Sequence, residues 1–451
     1  MDTINVTRGD ALTALHRLNG AHKVSVPSPF LDVPRSAYCA DAVDWASFHG
    51  IAVGTEEDKF SPDDEITKEA LAHMICRYAV ATGVKADSAE KWAEDNLTSE
   101  KVTAAELDSV LQRYARHSFE YVFADVMEQM ADVSEAILDE SLATKERSPG
   151  YALCNWRDGV LLVGLVEAGR FEAVRKYVDA FIESGETPFC TECGVLGYSV
   201  CALYEKYGDE KYEKLCHRIM AAIDEYPMDS DGQVKYGGDR SLDAQYVYVD
   251  GTGFVTIFLG RYAALFKSER ARRLANLQLE NYMRRGVDKT GLVAHGYKGE
   301  SELCGEIGWG RGTGWMMLAV GSVLGYCAER EVSEKCAELV RGTMSYLRDT
   351  DNFSWSLGKK DGHTDTSATG FIMWGVLKAK ENGDSLPDIG LERIKSVAYS
   401  CLSDIKDGVV YGASGECLDW NVYNDKFGHY KWGQASILAF FGMLVKTLKN
   451  G

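Results

Sequence analysis

The sequence predicts an all-α fold, an (α/α)6 barrel preceded by a small helical domain. Three observations lead there. Apolar residues recur at helical spacing through most of the chain, and strand alternation is scarce. From about residue 115 onward, roughly twelve such stripes of ordinary helix length follow one another, joined by loops of unequal length. Twelve antiparallel helices in one domain make six hairpins, which close into a double ring. A solenoid would show a more regular repeat.

Size and charge bound the rest. The chain has 451 residues, enough for a large core and two domains. Apolar residues make up 45% and aromatic residues 11%, the balance of a globular protein. A formal charge of -19 argues against nucleic acid and anionic membranes as partners. An anionic substrate would need a locally basic pocket. No apolar run is long enough to span a bilayer, so no membrane insertion is expected. Met1-Asp2-Thr3-Ile4 lacks a basic and apolar leader, so no signal peptide is expected.

Of 12 cysteines, Cys76, Cys154, Cys201, Cys327 and Cys401 lie in apolar helical stretches and read as buried, reduced thiols. Cys190-Thr191-Glu192-Cys193 is a CxxC with no second pair, whereas a structural zinc site needs four ligands. No metal and no cofactor is implied.

Residues 1–114 form one composition regime and 115–451 another. In the first, Tyr38, Ala42, Val43, Trp45 and Ala46 recur at helical spacing, and Gly50 and Gly54 turn the chain. Phe60-Ser61-Pro62-Asp63 is a second turn. Ile66-Thr67-Lys68-Glu69 is a capping pattern before a second helix. This helix–loop–helix unit, residues 30–80, resembles an S-layer homology repeat, with Lys68 where arginine is usual. Thr7-Arg8-Gly9-Asp10 and Thr103-Ala104-Ala105-Glu106 look like parts of a preceding and a following repeat, over residues 1–20 and 88–114. The resemblance implies a helical spindle that binds anionic cell-wall polymer, or a cap on the larger domain.

In the second regime the stripes fall at 119–133, 158–168, 171–184, 195–207, 211–224, 252–266, 269–284, 313–329, 331–348, 367–380, 390–403 and 433–448. The residues suited to chemistry sit where loops lead into these helices. Trp309-Gly310-Arg311-Gly312-Thr313-Gly314-Trp315 combines flat apolar faces, a fork of donors suited to a carboxylate, and glycines that allow turns and close approach to a ligand. Asp250, in Tyr248-Val249-Asp250-Gly251, is either an N-cap, worth about 1 kcal/mol, or a carboxyl held among aromatics, where burial favours the protonated, proton-donating form. His295 follows the turn at Gly291. Trp156-Arg157, Asp365-Thr366-Ser367 and Lys431-Trp432 open three further helices. In a double ring these helix starts gather at one mouth, where helix N-termini and Arg157, Arg311 and Lys431 favour an anion. With tryptophans to stack on sugar faces, the mouth suits an acidic carbohydrate.

Residues from about 119 to 448 resemble the unsaturated glucuronyl and rhamnogalacturonyl hydrolases, glycoside hydrolase family 105 and its neighbour family 88. The resemblance rests on Asp250-Gly251, on Gly291-Leu292 running to His295-Gly296-Tyr297, and on the Trp309–Trp315 segment, with Asp365-Thr366-Ser367 and Trp156 in matching order. It implies the same barrel. It also implies an activity, release of a 4,5-unsaturated uronic acid from lyase-generated oligosaccharides by hydration of the double bond. Asp250 would be general acid and base, Glu192 a second carboxylate where aspartate is usual, and His295, Arg311, Trp309 and Trp315 substrate contacts. Trp156, Arg157, Tyr297 (for a common tryptophan), Arg240, Thr366, Lys431 and Trp432 complete the expected site. Arg240 keeps a cation where the family often has histidine and lysine, and Thr313 replaces a common asparagine. The alternatives are a non-catalytic binding module on the same fold and an (α/α)6 glycosidase acting on saturated sugars. For location, the cysteines and N-terminus favour cytoplasm, and the S-layer resemblance favours the cell surface.

Overall fold

A computed structural model describes residues 5–450 apart from 20, 22, 83, 85, 98–101, 189, 236–244, 360, 382–385, 387, 388 and 419–421. The chain divides into two compact units, Met1–Asp125 and Val126–Gly451.

The first unit contains α1 (Arg8–Leu18), α2 (Ala40–Phe48), α3 (Lys68–Ala81), α4 (Ala86–Asn96) and the first part of α5 (Ala104–Arg147). Three of these helices begin with a threonine whose hydroxyl accepts a backbone N–H: Thr7 from Asp10, Thr67 from Ala70 and Thr103 from Glu106. The three starts are stitched together. Asn5 bridges Thr103 and Thr7 bridges Glu65, with Val6 N–H donating to Val102 O and Ile66 N–H to Val6 O. The Asp32 carboxylate fixes the turn at Phe60-Ser61 by accepting both backbone N–H groups, at 2.8 and 2.6 Å. Leu12, Trp45, Ile75, Trp92 and Tyr114 meet in one core. α5 is a single 44-residue helix, because no glycine or proline occurs between residues 104 and 147 to end it.

The second unit takes the rest of α5 and continues with α6 (Trp156–Glu167), α7 (Phe171–Glu183), α8 (Cys193–Tyr207), α9 (Glu210–Glu225), β1 (Tyr246–Tyr248), α10 (Val249–Phe266), α11 (Glu269–Arg285), β2 (Ala294–Lys298), β3 (Glu302–Ile307), α12 (Gly310–Tyr326), α13 (Arg330–Met344), α14 (Thr366–Lys380), α15 (Leu391–Cys401), β4 (Ile405–Lys406), β5 (Val409–Val410), β6 (Ala413–Ser414), β7 (Phe427–Gly428) and α16 (Lys431–Asn450). α6, α8, α10, α12, α14 and α16 pack side by side in that order, and α16 returns to α6 to close the ring. This is the (α/α)6 barrel.

Sequence explains which helices are inside. α8 is buried at every position from Cys193 to Leu203, and α12 from Gly310 to Gly325, so both are enclosed on all sides. The outer α7 buries only the stripe Val174, Tyr177, Val178, Phe181. Strict alternation of outer and inner helices makes the inner six run in one direction, which brings their N-termini to one mouth. There the inner helices touch backbone to backbone. A Cβ on Gly194 would lie 2.0 Å from Phe254 O, and one on Gly253 2.6 Å from Trp315 O.

Among the described residues no helix is long and apolar enough to cross a membrane.

Candidate active site

The mouth is floored by aromatic rings from successive inner helices. Trp156 stacks near Phe254 at 6.1 Å and Trp432 at 5.1 Å, and Trp315 meets Phe254 at 5.0 Å and Phe371 at 4.6 Å. Trp315 is 1% exposed, so it supports the floor from within and offers no sugar-stacking surface.

Asp250 is the second residue of α10, delivered by strand β1. β1 pairs with β2 so that Tyr248 lies opposite Gly296, which sets Asp250 against His295. The His295 Nε2 lies 3.4 Å from Asp250 Oδ2, an oxygen that is buried and has no hydrogen-bond partner among the described residues. The other side of the imidazole is held by Tyr423, whose hydroxyl is 2.8 Å from Nδ1. That same hydroxyl accepts the backbone N–H of Glu306 at 2.7 Å. The hydroxyl thus holds the imidazole with Nδ1 toward Tyr423 and Nε2 toward Asp250. Burial raises the Tyr423 hydroxyl well above its ordinary value, more than the Glu306 N–H lowers it, so it stays a neutral donor. Trp309 covers the imidazole with ring centroids 4.4 Å apart.

The glycine-rich segment departs from its expected use. Gly310, Gly312 and Gly314 are the opening turns of α12, in helical conformation. They permit close packing: a Cβ there would meet Ser354 O at 2.5 Å, the Trp309 ring at 2.5 Å and Phe371 Cβ at 2.9 Å. Arg311 is 2% exposed. Its terminal nitrogens donate to Ser414 O, Ser414 Oγ and Gly415 O at 2.7, 2.8 and 3.0 Å, and its guanidinium lies over Trp309 and Trp432. Ser414 Oγ in turn donates to the fully buried Asp365 at 2.6 Å. A buried cation needs such partners. Arg311 thus ties the 414–417 loop beneath the mouth, in place of the expected fork toward a sugar acid. Beside it burial pushes the Cys417 thiol up to about 12, Asp250 adding to the rise and Arg311 opposing it.

Glu192 caps the approach to α8, and its carboxylate accepts the Trp156 backbone N–H at 2.9 Å. Arg157 reaches across to pair with Glu416, its side chain 40% exposed, and lies over the Trp156 ring. Arg157 is thus a cation at this mouth with solvent access. Trp432 donates its indole N–H to Ser414 O at 2.9 Å.

Three expected contacts are turned elsewhere. Tyr297 is fully buried against Tyr282, with Arg285 over its ring. Thr366 is buried and donates its hydroxyl to Tyr411 O at 2.9 Å. Lys431 pairs with the buried Asp158 at 2.5 Å and donates to Ser141. Burial opposes ionisation of Asp158, but Lys431, Asn155 and Tyr177 outweigh it and hold the carboxyl below its usual range. Thr366 and Lys431 are held by acceptors within the fold, and Tyr297 by ring packing. Arg240 lies outside the described residues. Sequence reasoning missed Tyr423 and Ser414, which lie more than 100 residues from the groups they hold and in short loop segments with no periodicity. The thiol reading also needs correction at Cys154, which is disulfide-bonded to Cys193.

The sequence profile of Glycosyl Hydrolase Family 88 matches residues 127–441, and that of the S-layer homology domain matches residues 29–72. The chain belongs to Glycosyl Hydrolase Family 88. No curated protein matches the sequence. Among solved structures, a possible member of glycoside hydrolase family 105 from Klebsiella pneumoniae is similar with TM-score 0.58 at 16% identity, over 65% of this chain and 82% of that one. A family 105 glycoside hydrolase from Clostridium acetobutylicum gives 0.55 at 16%, over 68% and 99%. The unsaturated glucuronyl hydrolase of a Bacillus species, responsible for the degradation of glycosaminoglycan, gives 0.56 at 15%, over 70% and 96%. The S-layer homology match points to cell-surface association, and the cytoplasmic expectation is not supported.

Proposed function

We propose that this protein hydrates the C4=C5 double bond of an unsaturated uronic acid at the non-reducing end of lyase-generated oligosaccharides, of pectin or rhamnogalacturonan type. The observation that carries the reading is the Asp250 carboxyl. One of its oxygens is buried, without a hydrogen-bond partner among the described residues, and 3.4 Å from His295 at the mouth of the barrel. Asp250 gives its proton to C4, and water adds its oxygen to C5. The proton released by that water returns to the Asp250 carboxylate, so one group serves as acid and then base. The C5 hemiketal opens to a ketone, and the hemiacetal left at C1 releases the next sugar. His295 orients Asp250 and the water. Glu192 holds the Trp156 backbone that shapes the wall. Arg157, exchanging Glu416 for the substrate, supplies the charge for the uronate. The similar glucuronyl hydrolase structure supports this class of substrate.

The test mixes the protein with lyase-generated pectin fragments and with glycosaminoglycan disaccharides and follows the ultraviolet absorbance of the double bond. Decay on pectin fragments is expected. Binding without decay would make it a carbohydrate-binding relative. Turnover confined to saturated glycosides would make it a different glycosidase. The reading also includes surface attachment of the enzyme through its S-layer homology unit. Full-length protein is expected to sediment with purified bacterial cell walls, and its staying in the supernatant would remove that part.

A further inference from the structure

In sequence, Cys190 and Cys193 form an isolated CxxC and Cys154 belongs to another helix start. The fold brings all three together, with their sulfurs within 4.8 Å of one another. Cys154 and Cys193 are bonded, with Cα atoms 5.7 Å apart, and Cys190 keeps its thiol beside them, half-buried. A cross-link between the two helix starts uses two sulfurs. The third is surplus to it.

Three convergent sulfurs are the donor set that soft cations select. Around an ion with metal–sulfur bonds of about 2.3 Å, ligand sulfurs stand roughly 4 Å apart, a spacing this cluster can adopt once the bonded pair separates. We propose that Cys154, Cys190 and Cys193 form a site for one soft cation, copper(I) or a zinc(II) whose fourth position is taken by water, filled when a dithiol opens the Cys154–Cys193 bond. The dithiol supplies two electrons and two protons. Its own sulfurs become a disulfide, and Cys154 and Cys193 become thiols. The cation then binds three thiolates, and three protons pass to solvent. Cys154 lies two residues before Trp156, and Glu192 directly precedes Cys193. Ion and disulfide therefore hold the same two helix starts in place.

The experiment uses full-length protein reduced with a phosphine under inert gas and freed of it. Cadmium(II) is the probe, followed by thiolate-to-cadmium charge-transfer absorption. One tightly held cadmium per chain is expected. It should be lost in Cys154→Ser and Cys190→Ser, kept in Cys76→Ser, and absent from the oxidised protein. Displacement by zinc(II) or by copper(I) identifies the preferred ion. An undiminished band in Cys190→Ser, or no band in the reduced protein, would overturn the proposal. A second measurement needs no variant: cadmium should shield Cys190 of the reduced protein from alkylation, read by peptide mass spectrometry. Equal alkylation with and without cadmium would also overturn it.

Discussion

The two side chains that face each other at the mouth, Asp250 and His295, differ in how they are held. Asp250 stands on a rigid helix start, whereas His295 depends on a tyrosine hydroxyl from a distant loop. Asp250→Asn keeps the shape and removes the transferable proton. Its turnover is expected to fall by about a hundredfold or more with an unchanged circular dichroism spectrum, given the size of general acid–base effects. Near-native turnover would show that another group moves the proton. Tyr423→Phe removes the hydroxyl that bonds Nδ1 and leaves Glu306 N–H without its acceptor. Loss of such a buried bond corresponds to roughly tenfold in kcat/KM. As a positioning residue it should also change the pH–rate profile, since the imidazole no longer has a fixed tautomer. An unaltered profile and rate would show that Tyr423 only fills space.

At the scale of helices, the mouth exists because inner helices approach more closely than side chains usually allow. Gly194→Ala would set a methyl group 2.0 Å from Phe254 O, so α8 and α10 must separate. Overpacking of this kind costs about 1–3 kcal/mol. A lower Tm is expected together with reduced turnover, because Glu192 and Asp250 stand at the starts of the two displaced helices. A Tm equal to the parent's would contradict the close packing.

Over the whole barrel, charge is also buried away from the mouth. Glu167 is 3% exposed, and it accepts hydrogen bonds from Lys446 and Tyr198 at 2.7 and 2.5 Å. Burial alone would raise its carboxyl. Lys446 and Lys378, with the two hydrogen bonds, outweigh burial and bring it from 4.5 to about 2. The folded value is depressed, so the stabilisation is complete above about pH 4.5 and is lost as pH falls toward 2. Tm should therefore decline across that window, and Glu167→Gln should flatten the decline. An equally steep fall in the variant would assign the acid sensitivity to other carboxylates.

The barrel was legible in the sequence because amphipathic and all-apolar helices are local patterns of 3.6-residue period, and their number and order already imply a closed double ring. The N-terminal helical unit was legible from its cap patterns in the same way. The gathering of Asp250, Glu192, Trp156 and Trp309 at one mouth also followed, since alternate helices of a ring start on one side. What tertiary structure decided was direction and partner. The glycines of residues 310–314 read as a ligand loop, but they serve helix contact, which depends on a neighbour's backbone. Arg311, Tyr297, Thr366 and Lys431 read as ligand groups, yet each is held by acceptors or packing groups from other segments of the fold. The support of His295 by Tyr423, and the meeting of Cys154 with Cys190 and Cys193, have no local signature at all. Hydrophobic period is written residue by residue along the chain, whereas a hydrogen bond or a sulfur contact is settled only when separate segments arrive at the same place.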